Sequence, residues 1–307
     1  MLRHYLLKSS FFSFRLLMEP RANGQVVIYT QRSSSRRGGE VQGAHIRPHS
    51  TAQVGLIFTS MSSTKPTSCR FVVTGFGPFH GMPINPTMLL VQRLEKELDT
   101  LSSTKNIEII KTIILETSVD AVRREMDEIY AQICVEVTGC HVVFLHLGVN
   151  YIGKRIQLEK CAYNDATFRV PDERGYQPQG ACILESSSCS ETAKRKALHL
   201  FGKCSETSLA LDEICNMLEM GSNAQPVCIS NDPGRFVCNY IYCLSLDKCR
   251  SSAEKVPNSN ETKYHSLFVH VPSFHVIQEE NQYLFVLQIM KTIQQQLRKI
   301  DIKTSTD

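Results

Sequence analysis

The chain has 307 residues, 42% of them hydrophobic and 21% charged, which suits one domain of about 200 to 250 residues with an extension and excludes two full enzyme domains. Residues 1–65 carry nine basic and two acidic side chains, a net of +7, so the remaining residues sum to −3 within the total of +4. Because the larger part is mildly acidic, the charge balance gives no reason to expect a nucleic-acid binder.

Residues 1–65 are rich in Ser and Arg, and we expect no packed domain there. The apolar stretch "SFFSFRLLM" is too short to span a bilayer and makes a poor signal-peptide core. Three interpretations stay open: an organelle transit peptide, an untranslated leader before a start at Met61, and a disordered tail. A transit peptide in residues 1–60 would direct the protein to a mitochondrion or plastid.

From Cys69 onward, predicted strands alternate with predicted helices. Apolar and β-branched runs predict strands at 70–76, 107–115, 141–149, 226–231 and 265–272. Helical spacing and capping residues predict helices at 85–98, 118–137 and 206–220, one opened by Cys238, and a last one at 280–300. The stretch 157–179 is rich in loop residues, and 251–263 is a polar surface loop. This order predicts an α/β fold: a three-layer α/β/α sandwich around a twisted, mainly parallel open sheet.

Three reactive side chains are expected at one edge of that sheet. Ligands of open parallel sheets bind beyond the carboxyl ends of the strands. The segment after strand 226–231 carries Cys238, the segment after 141–149 carries Glu159, and the last strand carries His270. A thiol, an imidazole and a carboxylate are the groups that a cysteine hydrolase needs, so this edge is the candidate active site.

Cys238 follows a turn built from "NDPG" and opens a helix. Backbone N–H groups and the dipole at a helix start favour a thiolate, and the same N–H groups could hold an oxyanion. The alternative is a buried packing residue, as Cys243 is expected to be. Taken alone, His270 could be an ordinary core histidine and Glu159 a surface carboxylate paired with Lys160.

The chain contains twelve cysteines, but neither a disulfide framework nor a metal site is predicted from them. There is no C-x-x-C pair, and no histidine falls at zinc-ligand spacing. The sequence "GFGPFHG" follows a strand and is rich in glycine, but Pro78 and Phe79 stand where a dinucleotide fingerprint needs a helix start. We therefore expect reduced thiols, no metal and no cofactor.

Four stretches of the sequence resemble the pyroglutamyl-peptidase I family of cysteine peptidases. They are "TGFGPFHGMPINPT" (74–87), "HLGVNYIGKRIQLEKCAYND" (146–165), "SNDPGRFVCNYIY" (230–242) and "FVHVP" (268–272). With the helices between them they span about residues 69 to 300. The resemblance implies a catalytic domain over 66–302 that removes N-terminal pyroglutamate from peptides without a metal or cofactor. It also implies a cytoplasmic location, with a mitochondrion or plastid as the alternative if residues 1–60 act as a transit peptide. The sequence predicts neither a nucleic acid nor a membrane as partner, and it leaves a homo-oligomer open.

The resemblance also implies roles for individual residues. Carried over by motif, Cys238 is the nucleophile, His270 the base and Glu159 the acid that orients the base. The residues expected to enclose or contact the lactam ring are Phe76, Phe79, Phe236, Arg169 and Val149. Val149 departs from the family, because bacterial members often have Gln at this position. This departure leaves two alternatives open: a cysteine hydrolase of another small amide, or a silent relative that binds N-terminally blocked peptides.

Overall fold

The structure is a computed structural model that describes residues 3–9, 12–20, 26–32, 68–79, 81–184, 200–253 and 262–304. The chain divides into two units, residues 1–61 and 62–307. The described part of the first unit is an antiparallel sheet of β1 (Arg3–Ser9), β2 (Phe12–Pro20) and β3 (Val26–Arg32). The interpretation of residues 1–65 as a leader stays a prediction, since much of this segment lies outside the described residues.

The second unit is built on a six-stranded sheet of the predicted α/β type. In spatial order its strands are β10 (Val227–Ser230), β7 (Ile156–Glu159), β11 (Lys263–Val271), β6 (His141–Val149), β4 (Cys69–Phe76) and β5 (Glu108–Leu115). All neighbours are parallel except β7 and β11. The prediction of a mainly parallel sheet is confirmed, and the strand predicted at 141–149 has those bounds in the structure.

Six helices are described, and they cover both faces of the sheet. They are α1 (Pro86–Lys96), α2 (Leu98–Lys105), α3 (Val119–Glu136), α4 (Leu211–Glu219), α5 (Val237–Ala253) and α6 (Glu279–Thr304). One apolar core contains residues of α1, α4 and α6, and the other contains residues of α3 and α5. The sheet therefore separates two hydrophobic layers, and α5 lies on the same face as α3. Among the described helices, none combines the length and the apolar composition that a bilayer span requires.

Helix starts follow local capping chemistry. The side chain of Asn85 accepts the Thr87 amide proton at 3.0 Å, and Pro86 occupies the first helical position of α1. The Asn85 amide also donates to the Gly77 carbonyl at 3.1 Å. This second bond ties the segment after β4 to the start of α1, so the loop that contains Phe79 is held at both ends.

The prediction of a loop-rich stretch at 157–179 was wrong in its first part. Residues 156–159 form β7 inside the sheet, and β8 (Cys161–Tyr163) pairs with β9 (Cys204–Glu206). A four-residue strand interrupted by Gln157 is too short to show a periodic pattern. The predicted helix at 206–220 also begins later, at Leu211, because its first residue belongs to β9.

Strand direction also differs from the sequence-based argument. Both β7 and β10 run antiparallel to β11, so their carboxyl ends do not point to the edge at which β4, β6 and β11 end. The three candidate residues meet for another reason. β7 runs back along the carboxyl-terminal half of β11, and Glu159 pairs with Phe268 two residues before His270.

Candidate active site

Cys238 is the second residue of α5. The chain enters the helix through Gly234, whose φ of 80° lies in the left-handed region that glycine tolerates. The first backbone bond of the helix start runs from the Tyr240 amide to the Phe236 carbonyl at 3.0 Å. Amide groups before Tyr240 therefore have no acceptor within the helix, and they surround Cys238 with outward-facing N–H donors.

Asn239 fixes the start of α5 to the neighbouring β8. Its side-chain oxygen accepts the Tyr163 amide proton at 2.8 Å, and its side-chain NH₂ donates to the carbonyls of Tyr163 and Asp165 at 2.9 and 3.0 Å. Asn239 is fully buried, so these bonds are made away from water and resist exchange. This anchor determines where the first turn of α5, and with it Cys238, lies above the sheet.

His270 and Glu159 form a buried ion pair. Nδ1 of His270 lies 2.7 Å from Oε1 of Glu159, and the Glu159 side chain is fully buried. Its Oε2 has no hydrogen-bond partner among the described residues, so His270 is the group that compensates the carboxylate. Burial disfavours the charged imidazole, but hydrogen bonds to Cys238 and Glu159 outweigh it and raise the pKa of His270 to about 9.

Gly148 makes room for the thiol. It pairs with His270 in the β6–β11 register, so the two residues lie side by side on one face of the sheet. A Cβ atom added to Gly148 would lie 3.2 Å from Cys238 Sγ and 2.5 Å from the Phe268 ring. The thiol therefore rests over the bare backbone of β6, next to the imidazole with which it shares a hydrogen bond.

His146 provides a contrast within the same sheet. It lies two residues before Gly148, and its Nδ1 is 2.8 Å from the Thr74 hydroxyl, with no carboxylate beside it. Full burial lowers the pKa of His146 to about 3, so this imidazole stays neutral. The carboxylate of Glu159 is what separates His270 from an ordinary buried histidine.

The aromatic residues expected around the lactam are partly brought together. The ring centroids of Phe79 and Phe236 are 5.1 Å apart, and both side chains are half-buried. Phe236 also packs against Phe168 at 4.6 Å. Phe76 is buried in the core on the same face as α5. Sequence reasoning missed Phe168, although its position one residue before Arg169 could have indicated it.

Two expected substrate contacts are not joined to this group. Arg169 is exposed, and the hydrogen bond found for it within the described residues is made by its main-chain carbonyl, which accepts from the Gln177 side chain at 3.1 Å. Val149 pairs with Val271, whose side chain belongs to the core on the opposite face of the sheet from Cys238. Because successive residues of a strand alternate between faces, Val149 and Gly148 point in opposite directions. The structure thus does not bring Val149 together with the thiol.

Tyr242 is a further residue that the sequence did not indicate. It lies one turn after Cys238 on α5, is fully buried, and donates its hydroxyl proton to the Glu159 main-chain carbonyl at 2.8 Å. Within the described residues, no three His, Cys, Asp or Glu side chains are grouped as metal ligands. The geometry therefore offers a thiol, an imidazole paired with a carboxylate, and helix-start N–H donors, which together can perform acyl transfer.

The family model and the curated proteins that match this chain are pyroglutamyl or pyrrolidone-carboxylate peptidases. The pyroglutamyl peptidase family matches residues 69–201, a stretch that contains Glu159 and ends before Cys238. A pyrrolidone-carboxylate peptidase of Streptococcus suis (strain 05ZYH33) is 26% identical over 185 residues, which covers 58% of this chain and 69% of that protein. Pyroglutamyl-peptidase 1 of Rattus norvegicus is 24% identical over 201 residues, with 66% and 78% covered.

Solved structures show the same fold. The pyrrolidone carboxyl peptidase of Fervidobacterium islandicum AW-1 has a TM-score of 0.56 at 23% identity, covering 74% of this chain and 99% of that one. The enzyme of Thermococcus litoralis has a TM-score of 0.54 at 20% identity, covering 75% and 95%. The resemblance to pyroglutamyl peptidases and the fold predicted from the sequence are thereby confirmed.

Proposed function

We propose that this chain is a cysteine exopeptidase that hydrolyses the bond after an N-terminal pyroglutamyl (5-oxoprolyl) residue. Cys238 is the nucleophile, His270 the general base and acid, and Glu159 the residue that orients and charges the imidazole. One observation carries the proposal. The buried His270–Glu159 pair, 2.7 Å apart, lies beside a thiol at a helix start on the same face of the sheet.

The reaction follows from these groups. His270 takes the proton of Cys238 and, because its pKa is raised to about 9, keeps that proton at neutral pH as an imidazolium beside the thiolate. The thiolate attacks the carbonyl carbon that joins pyroglutamate to the next residue. Helix-start N–H groups near Cys238 stabilise the tetrahedral oxyanion, at about 3 kcal/mol per donor. The imidazolium then protonates the departing amine, and the C–N bond breaks to leave a thioester. Water, deprotonated by His270, attacks the thioester and releases 5-oxoproline with the thiol restored.

The aromatic group supports a lactam as the substrate class. Phe79 and Phe236 offer half-buried apolar faces beside the helix that carries the nucleophile. A lactam carries no charged amine, so it enters apolar surroundings at much lower cost than a zwitterionic N-terminus. This difference accounts for a preference for blocked peptide ends without any metal. Phe76 belongs to the apolar core against which Phe236 packs.

A substrate panel tests this proposal. The full chain is assayed with pyroglutamyl, prolyl, alanyl and acetyl amides of one fluorescent amine. We expect hydrolysis of the pyroglutamyl amide at least about 10²-fold faster, in kcat/KM, than that of the other three. Equal cleavage of the acetyl amide would indicate a hydrolase of other small amides. Binding of the pyroglutamyl amide without any hydrolysis would indicate a silent binder.

We also propose a cytoplasmic location and a catalytic domain over residues 66–302. A thiolate nucleophile stays active only where oxidants are scarce, which favours a reducing compartment. The proposal is tested by sequencing the N-terminus of the protein isolated from cell fractions. A start near Met61 in the cytosolic fraction agrees with it, and a cleaved form inside an organelle contradicts it.

A further inference from the structure

A pair of side-chain amides lies next to the candidate catalytic histidine. The Asn150 side-chain NH₂ donates to Oε1 of Gln157 at 2.7 Å, and both residues are half-buried. Two main-chain hydrogen bonds hold the loop between them in place. The backbone N–H of Asn150 donates to the Val271 carbonyl, and the backbone N–H of Gly153 donates to the Asn150 carbonyl, each at 2.9 Å. A Cβ atom on Gly153 would lie 3.0 Å from the Asn150 side-chain amide, so the loop leaves space for that amide.

The sheet register brings Gln157 beside His270. Gln157 is the partner of His270 across β7 and β11, and Gly148 is its partner across β11 and β6. Residues paired in this way have side chains on one face. Gln157, His270 and Gly148 therefore form a row across three neighbouring strands, and Cys238 Sγ lies over the Gly148 end of that row.

Different strands lie on the two sides of the Cys238 thiol, which rests over β6. On one side, β4 leads to Phe79, and Phe79 packs on Phe236 at the start of α5. On the other side come His270 on β11 and then Gln157 on β7. If the lactam lies against the aromatic rings, the scissile carbonyl lies at Cys238, and the leaving peptide extends past the imidazole that protonates it.

The amide pair has hydrogen-bonding capacity to spare. Oδ1 of Asn150 and Nε2 of Gln157 have no partner among the described residues, while the other two atoms of the pair bind each other. A free acceptor and a free donor match the N–H and C=O of a peptide group. We propose that Asn150 and Gln157 bind the first peptide group of the leaving peptide. This inference rests on the proposed function and adds a specificity site to it.

Two substrates isolate that contact. Pyroglutamyl-alanine amide has a carboxamide beyond the scissile bond, and pyroglutamyl isopropylamide has a methyl group in its place. We expect Gln157→Leu to lower the ratio of their kcat/KM values about fivefold, through the substrate with the carboxamide, since one hydrogen bond to a peptide group is worth on the order of 1 kcal/mol. The difference in basicity of the two amines is the same for both enzymes and cancels in this comparison.

Two more variants make the result specific. Gln157→Glu keeps the acceptor that binds Asn150 and removes the donor, so it should lower the same ratio even if Gln157→Leu fails to fold. Gln132→Leu changes an exposed glutamine of α3 and should leave the ratio at the parent value. A parent that cleaves both substrates and a Gln157 variant with an unchanged ratio would overturn the inference alone. A parent that cleaves neither substrate would overturn the proposed function and the inference with it.

Discussion

Tyr242 joins the helix that carries Cys238 to the strand that carries Glu159. Its hydroxyl donates to the Glu159 main-chain carbonyl at 2.8 Å, with both residues fully buried. The bond ties together two elements that are far apart in sequence and that must lie close together for the proposed reaction. Tyr242 touches no reacting atom in the proposed reaction, so it is a positioning residue.

Replacing Tyr242 by Phe should therefore lower kcat while the chain still folds. We expect a loss of about threefold to tenfold in kcat with KM little changed, and about 1 to 2 kcal/mol of the free energy of unfolding, because the Glu159 carbonyl loses a buried donor. Tyr130→Phe is the matched control, since Tyr130 donates to the Lys248 carbonyl at 2.7 Å near the other end of α5. An equal drop in kcat in both variants would contradict a positioning role for Tyr242.

The His270 pair predicts how activity depends on pH. The pKa of His270 in the folded protein is about 9, above its ordinary value of 6.5. The protonated imidazole therefore contributes its full stabilisation of the fold below about pH 6.5. This contribution is lost as the pH rises through about 9. We expect kcat/KM to fall with a midpoint near pH 9, because the imidazolium must protonate the leaving amine. In Glu159→Gln this midpoint should move to lower pH, and the maximal rate should fall at least about 10²-fold. A midpoint that stays in place would show that Glu159 does not charge the imidazole.

Gly148 should not tolerate a side chain. An alanine Cβ would lie 2.5 Å from the Phe268 ring and 3.2 Å from Cys238 Sγ, so the ring or the thiol must move. We expect Gly148→Ala to lose about 10²-fold in kcat/KM. Adding Phe268→Leu removes the ring atoms nearest the new methyl group and should restore part of the activity. No recovery in the double variant, with normal folding by circular dichroism, would mean that the clash is not the cause.

The aromatic pair should act on binding more than on chemistry. Phe236 packs on Phe79 at 5.1 Å and on Phe168 at 4.6 Å, so Phe236→Leu loosens the proposed lactam surface. We expect KM for a pyroglutamyl amide to rise about tenfold with kcat within about threefold. Phe71→Leu, buried in the core on the opposite face, is the control that costs comparable stability without a change in KM. A similar rise in KM in both variants would point to general loosening of the fold.

The sequence predicted the layers of this fold and the three candidate catalytic residues. Long apolar runs such as 141–149 identify buried strands, and the Cys238 turn has clear helix-start chemistry. The sequence did not predict β7, because a strand of four residues is too short to show a repeating hydrophobic pattern. It also did not predict that β10 runs antiparallel to β11, because that direction depends on pairing between residues far apart in the chain. Tyr242 resembles any core aromatic residue, since its bond to Glu159 exists only after α5 packs on the sheet. Val149 was expected to contact the substrate because of its place in a motif. Side chains alternate between the two faces along β6, so Val149 lies on the face opposite Gly148 and the thiol.

The assignment of Cys238 as nucleophile is tested most directly by hydrolysis of a fluorescent pyroglutamyl amide by the full chain, by Cys238→Ala and by Cys243→Ala. Cys243 lies on the same helix and is buried in the core, so it controls for loss of a packed thiol. We predict activity in the parent and in Cys243→Ala, and none above background in Cys238→Ala with circular dichroism unchanged. Activity that survives in Cys238→Ala would contradict the assignment of Cys238 as the nucleophile.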